Sequence, residues 1–356
     1  MLNLNSYYQT DASLESMVRE NLVDGSVNVI LAGFPKCGTT SFAHWLNQSS
    51  SVNVSNPKET FLLCREHRRE NGIAAEGHLS RCFSDRPAKF RVEASTLNVY
   101  SKPLLNVLRS MDDVKVILSY RDPVDSVISW HNQVVQAEES IDPDLDKCWE
   151  RSVSHHLHGE AESTFRLMQD YAAVCSYGEW IQRWRDAIGD ERLLIVHADE
   201  LQSGDADLRS RLDRFFGLPL ALADSAPVLN RYASIRFESF YKTFKYSGIN
   251  KRLRQIERNL PLAQWIRSVA KEKLFRKGQN KQSAPTQKSV LGQYFECDFR
   301  LATELATTNR AFWDGQPKSR HTANPSLEGD RLGGEVSGPG LNAANAHAVT
   351  LNPSAP

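Results

Sequence analysis

The stretch that most restricts how this chain can fold is Val27-Asn28-Val29-Ile30-Leu31-Ala32, which runs into Gly33. A short apolar run rich in β-branched residues and closed by glycine reads as a strand buried on both faces of a sheet. Residues 39–47 follow, with Phe42, Trp45 and Leu46 on one helical face and hydroxyl residues at the entry, so they read as a helix. Between them, Gly33-Phe34-Pro35-Lys36-Cys37-Gly38-Thr39-Thr40-Ser41 sets two glycines five apart. Backbone N–H groups and a helix N-terminus can converge there on an anion. Strand, glycine-bounded loop and helix together make a phosphate-binding unit.

Further strands are expected at 113–120 and 192–197, and helices at 124–136 and 171–188, where Trp180, Ile181, Trp184 and Ile188 recur at helical intervals. Strands separated by helices predict an α/β fold: a P-loop-containing three-layer α/β/α arrangement around a central parallel β-sheet. The 356 residues allow two domains or one large one with a tail. The reading adopted is an N-terminal extension over 1–24, one domain over 25–315 and a disordered tail over 316–356, where large apolar residues are scarce. Hydrophobic residues make up 40% of the chain, enough to exclude a wholly disordered protein. Lys plus Arg (43) equal Asp plus Glu (43), so nucleic acid is not an expected partner and any anion must be held by local clusters. The basic stretch 250–281 reads equally as a solvated amphipathic helix pair or as an anion-facing or membrane-apposed rim, which leaves peripheral membrane contact open.

Two motifs carry a family resemblance. In nucleotide triphosphatases the lysine directly follows the second glycine; here Thr39 stands there and Lys36 lies inside the loop. That placement resembles the 5′-phosphosulfate loop of sulfotransferases that use 3′-phosphoadenosine 5′-phosphosulfate (PAPS), whose pattern is close to Pro-Lys-x-Gly-Thr-Thr-Ser. The second motif, Tyr120-Arg121-Asp122-Pro123, with Ser129 eight residues after the arginine, resembles that family's 3′-phosphate segment. A planar guanidinium can bind two phosphate oxygens at once, and the serine adds a hydroxyl donor. Similarity extends over about residues 25–315, through the segment 178–218 and the closing segment 291–313. Arg276-Lys277-Gly278 resembles the family's Lys-Gly loop on the 3′-phosphate, although Gln279 follows where arginine is common. The resemblance implies that Lys36, Cys37, Gly38, Thr39, Thr40, Ser41, Arg121, Ser129, Lys277 and Gly278 bind the cofactor PAPS.

The implied reaction moves a sulfuryl group to a hydroxyl or amine of an acceptor, such as a carbohydrate, glycolipid or other alcohol. It needs a base for the acceptor proton and a cation for the departing phosphate. Lys36 suits the second role without a metal. For the first, Pro57-Lys58-Glu59-Thr60-Phe61 resembles the Lys-Glu segment of the heparan-sulfate-type branch, which implies Glu59 as base. His131 competes, because another branch uses histidine, while the family's active-site polar residue four after the serine maps to Gln133. His155, His156 and His158 lack the carboxylates and spacing of a metal site and read as solvated loop or acceptor contact. A family strand end often carries lysine where Ala94 stands, so one cationic contact is missing. A small-metabolite kinase and a non-catalytic nucleotide-binding module are the competing readings.

No apolar run of transmembrane or signal-peptide length occurs, and the expectation is a cytoplasmic enzyme. Cys37, Cys64, Cys82, Cys148, Cys175 and Cys297 read as reduced thiols, a Cys64–Cys82 bridge being the alternative, and Cys37 as a loop filler whose pKa neighbouring charge could lower. Trp45, Trp130, Trp180 and Trp184 read mostly as core.

Overall fold

Successive side chains of a strand point to opposite faces, and in this chain both faces are apolar. The computed structural model describes residues 12–64, 78–137, 142, 144–158, 167–203, 206–227, 233–235, 275–277 and 285–315. Its main sheet has five parallel strands, β1 (Val29–Leu31), β2 (Val52–Val54), β3 (Phe90–Glu93), β4 (Lys115–Tyr120) and β5 (Leu193–His197), in the order β2-β3-β1-β4-β5. Val29 and Leu31 join Ile117, Leu194 and Val196 in one core. Ile30 and Ala32 join Val116, Leu118, Leu193 and Ile195 in the other.

The helices are α1 (Ala12–Gly25), α2 (Thr39–Leu46), α3 (Lys102–Leu108), α4 (Pro123–Ala137), α5 (Leu145–His158), α6 (Tyr171–Cys175), α7 (Tyr177–Ile188), α8 (Ala198–Ser203), α9 (Ala206–Phe216) and α10 (Pro285–Gly315). One face of the sheet is covered by α2, α8 and α9, through Phe42, Trp45, Leu201, Leu212 and Phe215. The other is covered by α1, α3, α4, α6 and α7, with Trp130, Trp180 and Trp184 buried as expected. The α/β/α layering expected from alternating strands and helices is therefore the observed one. From β1 the chain steps over one position to β2, returns to fill the gap with β3, then crosses β1 to β4. That reversal beside β1 is where open α/β sheets bind ligands, outside the carboxyl ends of the strands.

α10 closes the exposed edge of β5 without adding a strand. The Ile195 N–H donates to Asn309 Oδ1 (2.9 Å), while Asn309 Nδ2 donates to Leu193 O and Asp190 Oδ1 (both 2.9 Å). Trp313 Nε1 adds a bond to Leu193 O (2.8 Å). Side-chain amide and indole groups thus satisfy backbone that would otherwise stand open.

Three expectations change. The segment 171–188 is two helices, because Ser176 leaves helical dihedrals and Asp298 of α10 accepts from the Gly178 and Glu179 N–H groups (3.0 and 3.1 Å), capping a fresh start. The segment set apart as an N-terminal extension contains α1, whose Val18 and Leu22 are buried in the core. His155, His156 and His158 lie on α5 rather than in a loop. The six cysteines are free thiols. A separate antiparallel pair, β6 (Ala233–Ile235) and β7 (Phe275–Lys277), sets Lys277 opposite Ala233. Gly278, residues 316–356 and most of the basic stretch lie outside the described residues.

Replacing Asn309 with leucine leaves the Ile195 N–H unpaired in a dry setting and should lower stability by roughly 1–3 kcal/mol. Urea denaturation reads this directly; an unshifted midpoint would mean that the edge is satisfied by other means.

Candidate functional site

β1 and β4 pair in parallel with Leu31 opposite Ile117, so the turns that leave them emerge side by side. The ladder runs on past β1: the Ala32 N–H donates to Ile117 O and the Phe34 N–H to Ser119 O, both at 3.0 Å. Gly33 lies between these bonds, where a Cβ would stand 2.0 Å from Ser119 Oγ and 2.9 Å from Ser119 N. Only glycine lets the loop leave the sheet in this register.

The underside of the loop is pinned. Phe34 is fully buried against Tyr177, ring centroids 4.4 Å apart. Cys37 is equally buried, with Sγ 3.7 Å from Tyr177 Oη and 3.8 Å from Ser126 Oγ, and its N–H donates to Phe34 O (3.2 Å). Burial pushes the Cys37 thiol up and outweighs the opposing pull of Arg121, so the lowered pKa considered from sequence is not found. The side chain turns away from solvent and fills the loop.

The upper side of the loop opens into a cleft of about 500 Å³ at the carboxyl ends of the strands. Lys36 (φ 68°) and Gly38 (φ 82°) are both left-handed, which for the lysine costs about 1–3 kcal/mol and aims its side chain across the cleft. Gly38 also precedes α2 without any side-chain cap, so the partial positive charge of that helix end faces the cleft with Thr39, Thr40 and Ser41. Lys36 Nζ donates to Gln133 Oε1 (3.0 Å). Its pKa is pushed below the usual lysine value, first by burial and then by the charge of Arg121.

Arg121 leaves the end of β4. Its Nη1 donates to Lys36 O (3.2 Å), and Nη2 lies 4.0 Å from Asp125 Oδ2. Asp122 accepts from the Asp125 N–H (3.1 Å) and Pro123 opens α4, so Asp-Pro serves as the helix start. α4 then presents Asp125, Ser129 and Gln133 at four-residue intervals along one face, all lining the cleft.

Glu59 reaches the cleft from the opposite side. Its loop is stitched to the end of β3 by the Phe61 N–H on Ser95 Oγ (2.9 Å) and by Thr60 Oγ1 on Glu93 Oε1 (2.6 Å). Glu93 is buried and accepts further bonds from Ser95 and Asn98; burial pushes its carboxyl up while those donors pull it down. Glu59 Oε2 accepts from the Thr96 N–H (2.8 Å) and Thr96 Oγ1 (3.2 Å), and Oε1 from Lys58 Nζ (2.5 Å).

Lys36, Gly38, Thr39, Thr40, Ser41, Glu59, Arg121 and Ser129 therefore line one cleft, whereas Cys37 does not. Lys277 is on β7 with its side chain outside the described set, as is Gly278. His131 is buried, its Nδ1 3.0 Å from Tyr171 Oη, and does not line the cleft. Sequence reasoning missed Thr96 and the wall at the end of β5, His197 and Asp199, which carry no local spacing signal.

The family described as "Sulfotransferase domain" matches residues 27–286. None of the curated proteins matches the chain. Among solved structures, a sulfotransferase from Alicyclobacillus acidocaldarius is similar in fold at 14% identity and a TM-score of 0.50, over 81% of this chain and 98% of that one.

Because Lys36 holds its charge in a half-buried setting beside another cation, Lys36→Met removes a cost in the free protein. Its melting temperature should equal or exceed that of the parent while anion binding in the cleft falls; a strongly lowered melting temperature would contradict this electrostatic account.

Proposed function

Since the chain belongs to the sulfotransferase domain family, we propose that it moves the sulfuryl group of PAPS to a hydroxyl, of a carbohydrate, glycolipid or other alcohol, or to an amine. The observation that carries this reading is that the loop of Lys36 and the Arg121–Ser129 segment open into a single cleft. Arg121 Nη1 lies 3.2 Å from the carbonyl of Lys36 itself, so the two motifs are close enough to serve one ligand. Two cations beside an uncapped helix end favour a ligand with more than one anionic group. Lys36 within the loop and Thr39 after Gly38 depart from the kinase arrangement, which weakens that alternative.

When bound, PAPS supplies a sulfuryl group already attached to a phosphate leaving group. The N-terminus of α2 and Lys36 hold the phosphosulfate end. Arg121 and Ser129 hold the 3′-phosphate, and Lys277 with Gly278 are assigned to the same phosphate on resemblance. Glu59 takes the proton of the acceptor as its oxygen or nitrogen bonds to sulfur. Lys36 would supply the positive charge that offsets the negative charge left on the departing phosphate. No helix among the described residues is long and apolar enough to cross a membrane.

Adenosine 3′,5′-bisphosphate should raise the melting temperature far more than ATP with Mg²⁺, and Arg121→Ala should erase most of the difference. Equal protection by the two nucleotides would count against the assignment. With radiolabelled PAPS and a panel of hydroxyl acceptors, Glu59→Gln should lower transfer by about 10²- to 10⁴-fold and leave bisphosphate protection intact; an active variant would remove Glu59 from the chemistry.

A further inference from the structure

Ala94 stands at the end of β3, where lysine was expected from the resemblance, and the structure brings another cation to the spot. Lys58 Nζ donates to the Ala94 carbonyl (2.8 Å), to Glu59 Oε1 (2.5 Å) and to Thr39 Oγ1 (3.4 Å). An ammonium group has three protons, and these three acceptors use all of them. They belong to three different segments: the residue just past β3, the loop that carries Glu59, and the first residue of α2. The side chain is mostly buried, 18% exposed against 33% for Glu59. Glu59 and Thr39 line the cleft, and Lys58 lies behind them.

We infer that Lys58 is a positioning residue for the transfer reaction: its ammonium clamps Glu59 against the α2 N-terminus and so fixes where the carboxylate meets the acceptor proton. The inference rests on Glu59 being the base. Two anchors hold the carboxylate, one oxygen by Lys58 and the other by the Thr96 N–H and hydroxyl. Such two-sided restraint leaves little rotation about the terminal torsion, which is otherwise broad. A base misplaced by about 1 Å costs on the order of 10²-fold in rate.

The test compares Lys58→Met, Lys58→Arg, Glu59→Gln and the Lys58→Met/Glu59→Gln double variant in transfer from radiolabelled PAPS, alongside thermal protection by adenosine 3′,5′-bisphosphate. Lys58→Met should lower kcat about 10- to 100-fold with KM for PAPS and bisphosphate protection unchanged, and Lys58→Arg should stay within a few-fold of the parent. In the Glu59→Gln background, Lys58→Met should cause no further loss, because both changes disable one unit. Multiplicative losses, an unaltered kcat in Lys58→Met, or a fall in bisphosphate protection that matches the fall in turnover would each overturn the inference. Full activity in Glu59→Gln would instead reject the base assignment, a failure separate from that of Lys58. Should Lys58→Met fold poorly, Lys58→Gln takes its place, and an unaltered kcat there overturns the role equally.

Discussion

The close crossing of Gly33 over Ser119 sets the geometry on which the cleft depends. A strand that ends in a side chain at this point would have to tilt or slip, and the bonds from Ala32 and Phe34 to β4 would break. With glycine there, β1 and β4 release their turns in step, and Lys36 and Arg121 come to lie beside each other although 85 residues separate them. The anion site is thus a consequence of parallel pairing. Neither motif could place its cation without the register of the other's strand.

Electrostatically the cleft is built from opposed pieces. Lys36 and Arg121 share the cleft with Asp125 on α4 and with Glu59, and among the described carboxylates only Asp125 lies within 4.0 Å of either cation. Lys36 is held instead by the neutral amide of Gln133. A neutral partner satisfies the ammonium without cancelling its charge, which leaves that charge available to a ligand. The two glutamates are separated in the same spirit. Glu93 is sunk among four donors and ties a loop to a strand, whereas Glu59, one ring of bonds further out, keeps an exposed edge.

Most of what could be read from the sequence was encoded over short distances. The apolar runs that became β1, β4 and β5, the glycine spacing around Lys36 and the Asp-Pro helix start each depend on neighbours within about ten residues, and each formed close to where expected. The break at Ser176 escaped because its cause, the carboxylate of Asp298, is 120 residues away from the Gly178 N–H it caps. Thr96 escaped for a similar reason, since its bond to Glu59 spans 37 residues and leaves no periodic trace. Cys37 was grouped with the anion ligands by its position in the motif. Alternating left-handed residues in the loop rotate it inward, and no composition rule reports such a rotation.

The amide and indole that seal β5 come from α10, the last described element in chain order. During synthesis on the ribosome, β5 therefore emerges well before its cover and presents open N–H and C=O groups to any strand it meets. The emerging chain must be shielded through that interval, and a product truncated ahead of Asn309 keeps the same sticky border, ready to pair with another copy. Completion of α10 is thus also the step that removes a self-association hazard.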